Sequence, residues 1–179
     1  GAQMFAYDVN GDGHNDVITS LAAHGYGIVW FEQVRTTGNI SFIQHLIVGE
    51  TATENPFGVY FSQPHALELV DMDGDGLKDL VTGKRFWAHG AHGDPEPNAP
   101  AVLYWFQLRR NGVGGAEFIP HLVDDNSGVG TQVSVTHVKN KKYPDIIVGN
   151  KKGLFLFEHV AKNVSSAEWK AAQPKRISP

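Results

Sequence analysis

The 179-residue chain contains no cysteine, so it can form neither a disulfide nor a thiolate metal site, and redox chemistry does not mark its compartment. It has no apolar run near the roughly 18 residues of a membrane span and no recognisable signal peptide. It has no excess of basic residues either. A formal charge of −4 gives no electrostatic case for nucleic acid, which needs a basic face. Nucleophile-elbow, HExxH and paired-carboxylate signatures are missing as well. The 41% hydrophobic content is enough for a globular core, as one domain or one array of repeats.

The chain does contain one acidic loop that occurs nearly twice. Asp71-Met72-Asp73-Gly74-Asp75-Gly76-Leu77-Lys78-Asp79 is matched by Asp8-Val9-Asn10-Gly11-Asp12-Gly13-His14-Asn15-Asp16. Oxygen side chains at positions 1, 3, 5 and 9 of a tight glycine-bearing turn fit a hard cation of calcium size. The expected ligands are Asp8, Asn10, Asp12 and Asp16 in one loop and Asp71, Asp73, Asp75 and Asp79 in the other. The backbone carbonyls of His14 and Leu77 should complete the two shells. An EF-hand would place a bidentate Glu at position 12 and continue as a helix. Here position 12 is Thr19 or Thr82, inside β-branched, strand-like sequence, and dockerin loops fail for the same reason. Each loop therefore reads as strand, calcium turn, strand. Two calcium ions would bring the formal charge of −4 to zero.

Asp16 and Asp79 lie 63 residues apart, and a third copy ends 66 residues later at Asp145. Residues 135–149 align with 69–83 without a gap, with His137, Lys139 and Lys141 in the places of Asp71, Asp73 and Asp75. Ammonium groups there repel calcium, so the loop from His137 to Asp145 is expected to be metal-free, with Lys139 or Lys141 pairing with Asp145. Val29-Trp30-Phe31-Glu32-Gln33 matches Leu103-Tyr104-Trp105-Phe106-Gln107 and, more loosely, Leu154 to Glu158. Phe42 to Ile47 matches Phe118 to Val123. One unit is thus four short strands separated by Gly, Asn and Pro turns, and four-stranded units repeated radially are propeller blades. The reading is all-β: three four-stranded blades over residues 1–160 (about 4–48, 65–123 and 132–160). A tail over 161–179 follows, with a short helix predicted from the capping box at Ser165 and the stop at Pro174.

In these motifs the chain resembles the FG-GAP/VCBS-type repeat family over about residues 4–160. These are the calcium-loop propeller blades of integrin α-subunit heads and of many secreted bacterial proteins. Asp71 to Asp79 followed by Leu80-Val81-Thr82-Gly83 is the most specific match. The Phe-Gly and Gly-Ala-Pro signatures of one branch are missing, which favours the bacterial VCBS-like branch. The fold transfers with the resemblance; the partner does not. Three blades do not close a ring, so further blades or a second copy of the chain, giving a homodimer of six blades, are expected to complete it.

Antiparallel strands place the calcium turns at one end of each blade and the strand 2–3 turns, with the interblade connections, at the other. Ala-His-Gly recurs in two of those far turns, at His24 and in the long insertion that carries Arg85, Trp87, His89, His92 and Asp94, and an interblade connection adds His65. This is the expected ligand-binding face. The bland account of the histidines is hydrogen bonding to turn backbone. A transition-metal site built from His24, His65, His89 and His92 is the least favoured reading, because their spacing lacks metal-ligand regularity. His45, His121, Trp30 and Trp105 read as packing residues, whereas Trp87 sits in a loop where it could stack on a ligand.

The function expected is a calcium-stabilised binding or scaffold module of a larger bacterial protein, with a glycan or protein as ligand. The alternative is a propeller lyase or hydrolase acting on polysaccharide through a His/Arg site. Calcium loops of extracellular modules commonly bind at about 0.1–1 mM. Occupancy therefore implies a secreted, periplasmic or cell-surface setting, with an export signal upstream of Gly1.

Overall fold

In a computed structural model, which describes residues 1–112, 114–139 and 142–177, the chain forms three antiparallel sheets in sequence order. The first contains β1 (Met4–Tyr7), β2 (Asp16–Ser20), β3 (Ile28–Thr36) and β4 (Asn39–Val48). The second contains β5 (Leu67–Val70), β6 (Asp79–Gly83), β7 (Leu103–Arg110) and β8 (Ala116–Asp124). The third contains β9 (Val133–Thr136), β10 (Asp145–Asn150) and β11 (Gly153–Phe157). Each sheet is a meander whose neighbours in sequence are neighbours in space.

The third sheet has three strands where the sequence analysis expected four. The β-rich sequence that forms β4 and β8 has no counterpart after Phe157; residues 158–165 take no regular structure and lead into the helix.

Pairing registers confirm the repeat and correct one detail of it. Tyr7 opposes Asp16, Val70 opposes Asp79 and Thr136 opposes Asp145, so the strands flanking the three loops pair in equivalent register. Ile18 opposes Trp30 and Val81 opposes Trp105. Trp30 is therefore the structural equivalent of Trp105, and Val29 to Glu32 corresponds to Tyr104 to Gln107, one residue away from the match read in the sequence. The same register places His45 opposite Trp30 and His121 opposite Trp105. Both pairs stack, at 4.2 and 4.5 Å between centroids. A bulge recurs at Ile28/Val29 and at Leu103/Tyr104, next to the far turns.

Burial shows which sheet is the middle one. All five residues of β6 are buried, whereas β2 alternates buried and half-buried positions. A strand covered on both faces needs apolar or satisfied groups at every position, and a strand covered on one needs them only at alternate positions. One core lies between the first and second sheets, around Ile18, Leu69, Leu80 and Phe106. Another lies between the second and third, around Val81, Leu103, Ile146 and Val148. Met4, Leu154 and Leu156 remain exposed on the outer sheets.

Helix α1 (Ser166–Ala172) forms where predicted, with Ser165 and Glu168 closing a capping box. Arg109 lies over the Trp169 ring at 5.7 Å, and Arg176 pairs with Glu117 on the second sheet. Among the described residues no helix is long and apolar enough to cross a membrane.

Candidate functional site

The acidic loops join β1 to β2 and β5 to β6, and they are built alike. Glycines at positions 4 and 6 adopt left-handed backbone in both, with φ of +82° and +88° in the first loop and +80° and +89° in the second. A side chain at these positions would be strained, and the turn curls its N–H groups inward onto the first aspartate. Asp8 accepts the N–H of Gly11 (2.7 Å) and Gly13 (3.1 Å); Asp71 accepts those of Gly74 (2.7 Å) and Gly76 (3.0 Å). His14 and Leu77 donate their N–H to Asp12 and Asp75, each at 2.8 Å.

The ninth-position carboxylate is a structural tie in all three repeats. Asp16 accepts the N–H of Val9 (2.9 Å) and Gln33 (2.8 Å), and Asp79 those of Met72 (3.0 Å) and Leu108 (2.9 Å). Asp145 accepts those of Val138 (3.3 Å) and His159 (2.9 Å). Each carboxylate thus joins the loop to the third strand of its sheet or, for Asp145, to the residues just after it, and all three are fully buried. Burial pushes the Asp79 carboxyl up to about 7, against the pull of its two N–H donors, and pushes Asp16 up as well.

The two loops differ as cation sites. Oxygens of Asp71, Asp73 and Asp79 lie within 4.8 Å of one another, and a buried carboxylate held up by desolvation is one that a cation would relieve. The all-oxygen donor set fits a hard divalent ion. Asp75 stands outside this group. In the first loop Asn10 is neutral, and Arg110 from the second sheet reaches across the turn. Its guanidinium donates to the carbonyls of Asp8 and Val9 and lies 3.8 Å from the Asp8 carboxylate. A resident cation already faces that loop.

In the third loop Lys139 pairs with Glu158; Lys141, the other lysine expected to pair with Asp145, lies outside the described residues. Position 6 of this loop is Lys142, where the other two loops carry Gly13 and Gly76.

At the opposite end, the far turns do bring the predicted histidines together. His24, between β2 and β3, stacks on His89 of the β6–β7 insertion at 4.5 Å between centroids. His65, in the connection before β5, meets the His24 ring edge-on at 5.4 Å. Asp94 Oδ1 is 3.0 Å from His89 Nδ1 and 3.4 Å from His24 Nδ1, while its Oδ2 accepts the backbone N–H of His89 at 2.9 Å. Gly93 allows this return, because a Cβ there would lie 2.5 Å from the His89 carbonyl. Burial works to raise the Asp94 carboxyl, but the hydrogen bonds and charge of His89, with His24, outweigh it and hold it below its ordinary value. Burial, then the Arg85 charge, lowers the His65 imidazole.

The rest of the insertion is clamped. Trp87 stacks on Phe86 (4.9 Å), donates its indole N–H to Asn98 (3.1 Å), and offers its carbonyl to Lys151 of the third sheet. His92 is exposed on the loop, apart from the His24–His89–Asp94 group.

Two residues beneath this rim were missed by the sequence reading. Lys84 is fully buried, donates to Ser62 Oγ and has its amine lowered by burial. Tyr26 donates to Glu96 at 3.0 Å, and burial with that carboxylate pushes its hydroxyl up to about 12. A lysine at a strand end ordinarily reads as solvated, and no local signal marks this one. The Ala-His-Gly repeat flanking Tyr26 was the one clue to its turn.

Residues 8–82 match the profile of the FG-GAP-like repeat. This stretch is an FG-GAP-like repeat. It runs from the first ligand position of one acidic loop to the strand that follows the other, so it spans one repeat period and both loops. No curated protein and no solved structure matches the chain. The FG-GAP-like segment contributes His24 and His65 to the rim, and the insertion that carries His89 and Asp94 begins just beyond it.

Proposed function

We propose that this FG-GAP repeat module is a calcium-stabilised binding or scaffold unit that captures a glycan or protein ligand on the histidine rim. The observation that carries the reading is the convergence of His24, His65, His89 and Asp94, from three separate connections, at the end opposite the acidic loops. Calcium, on this reading, stiffens the acidic turns at the other end and leaves the rim free to vary. Arg85 and Trp87 border the rim and supply a cation and an aromatic face. The setting proposed is secreted, periplasmic or cell-surface, where calcium is abundant enough to fill such loops. A second copy of the chain, covering the exposed Met4, Leu154 and Leu156, is the partner proposed to complete a ring. Glycan and protein arrays test the binding role. The unaltered protein should retain a ligand that the Arg85→Ala, Trp87→Ala, His89→Ala triple variant releases, with calcium content unchanged. Equal retention by both proteins contradicts the assignment.

A second reading, an enzyme acting on polysaccharide, is favoured by one observation. Burial and then the Arg85 charge lower the His65 imidazole, and a histidine beside an arginine is the pairing a general base and a carboxylate-binding cation would use. Polysaccharide cleavage by the unaltered protein, lost in His65→Gln, would establish it in place of pure binding.

A further inference from the structure

We propose that His24, His89 and Asp94 form a zinc site on the rim, separate in place and chemistry from the oxygen loops. Three observations carry this. Ligand atoms of the three side chains lie within 4.8 Å of one another. Tetrahedral zinc with bonds of about 2.0–2.1 Å sets its ligand atoms about 3.3 Å apart. The separations of 3.0 Å from Asp94 Oδ1 to His89 Nδ1, a hydrogen bond that an ion would replace, and 3.4 Å to His24 Nδ1 bracket that spacing. The His24 and His89 rings stack at 4.5 Å, so one imidazole rotates out of the stack when both nitrogens turn to a shared ion.

Hydrogen bonding supplies the second observation. Nδ1 of His24 is buried and makes no hydrogen bond among the described residues, although it faces the Asp94 carboxylate. A buried ring nitrogen without a partner is rare in a settled structure, and a metal ion would satisfy it. Third, the acidic member is already oriented. The Asp94 side chain is only 5% exposed, and its Oδ2 is held by the backbone N–H of His89, which leaves Oδ1 aimed at both imidazoles. A supporting hydrogen bond of this kind fixes a ligand's direction in metal sites.

Two imidazole nitrogens and one carboxylate oxygen suit zinc and do not suit calcium, which takes oxygen. Three protein ligands leave a fourth position open. His65 stands edge-on to His24 beside it, with its own Nδ1 buried and unpartnered. The ligand class implied is one that offers an anionic or hydroxyl oxygen to a metal. The zinc site deepens the reading of this rim as the binding face and rests on it, but zinc is measured with no organic ligand present, so either can fail alone.

The test is calorimetric titration of zinc into calcium-saturated protein, paired with the visible spectrum of the cobalt(II) form. One ion per chain is expected, with the intense bands of four-coordinate cobalt. His24→Gln and His89→Gln should each weaken binding by about tenfold or more, with calcium binding unchanged as the report of an intact fold. His137→Gln, in the third loop, should have no effect. In the unaltered protein, zinc should shift the imidazole nitrogen resonances of His24 and His89, a readout that does not depend on any variant folding. No zinc uptake beyond the oxygen loops, or uptake unaltered in both histidine variants, overturns the proposal.

Discussion

The carboxylate of Asp79 accepts the backbone N–H of Leu108 at 2.9 Å, across the sheet from its own loop. With the Met72 N–H on its other oxygen, one side chain closes the acidic turn and anchors the end of the third strand. A residue at a cation-ligand position therefore also carries part of the fold.

That double role separates the second repeat from the third. Asp79→Ala orphans two buried N–H groups, at about 1–3 kcal/mol each, whereas the equivalent N–H donors to Asp145 are only half-buried and can turn to water. Asp79→Ala should lose roughly 2–6 kcal/mol of stability in chemical denaturation, and Asp145→Ala less. Only Asp79→Ala should also lose the stabilisation that calcium adds.

Calcium should bind the two loops unequally. The second loop gathers Asp71, Asp73 and Asp79, whereas the first has a neutral Asn10 and the Arg110 guanidinium 3.8 Å from Asp8. Affinity rises with ligand charge, so calorimetry should resolve a tighter event that Asp75→Lys removes and Asp73→Asn weakens. Arg110→Gln should strengthen the weaker event.

The pH dependence follows from Asp79, whose carboxyl is raised from 3.8 to about 7 by burial. Between those values the folded calcium-free protein binds more protons than the unfolded chain, so stability falls as pH rises through the window. Calcium, by pairing with the ionised carboxylate, should reverse that trend. Melting curves from pH 4 to 7.5, with and without chelator, should diverge most at the upper end. Parallel curves would mean that Asp79 is not the site of coupling.

Much of this molecule was legible in its sequence because its determinants are local. Glycines at fixed offsets, an aspartate before each second strand and a capping box at Ser165 each specify a turn or a cap by themselves. The expectation of a fourth strand after Phe157 came from extending the repeat past the point where Phe42–Ile47 has a counterpart. What escaped were contacts between repeats. Arg110 reaching the first loop, Lys84 buried under the rim, and His89 folding onto His24 through Gly93 depend on how sheets stack. The one-residue shift of the Trp30 match had the same source. Repeated aromatic runs align in more than one way until pairing with Ile18 and Val81 fixes the register.

The most direct measurement of the central claim is calcium titration of the chelator-stripped protein, followed by calorimetry and thermal melting together. Two ions per chain are predicted, with affinities near the sub-millimolar to millimolar range of extracellular modules, and with a melting temperature that rises as the loops fill. A melting temperature indifferent to chelator, with no calcium bound at Asp8–Asp16 or Asp71–Asp79, would contradict the account.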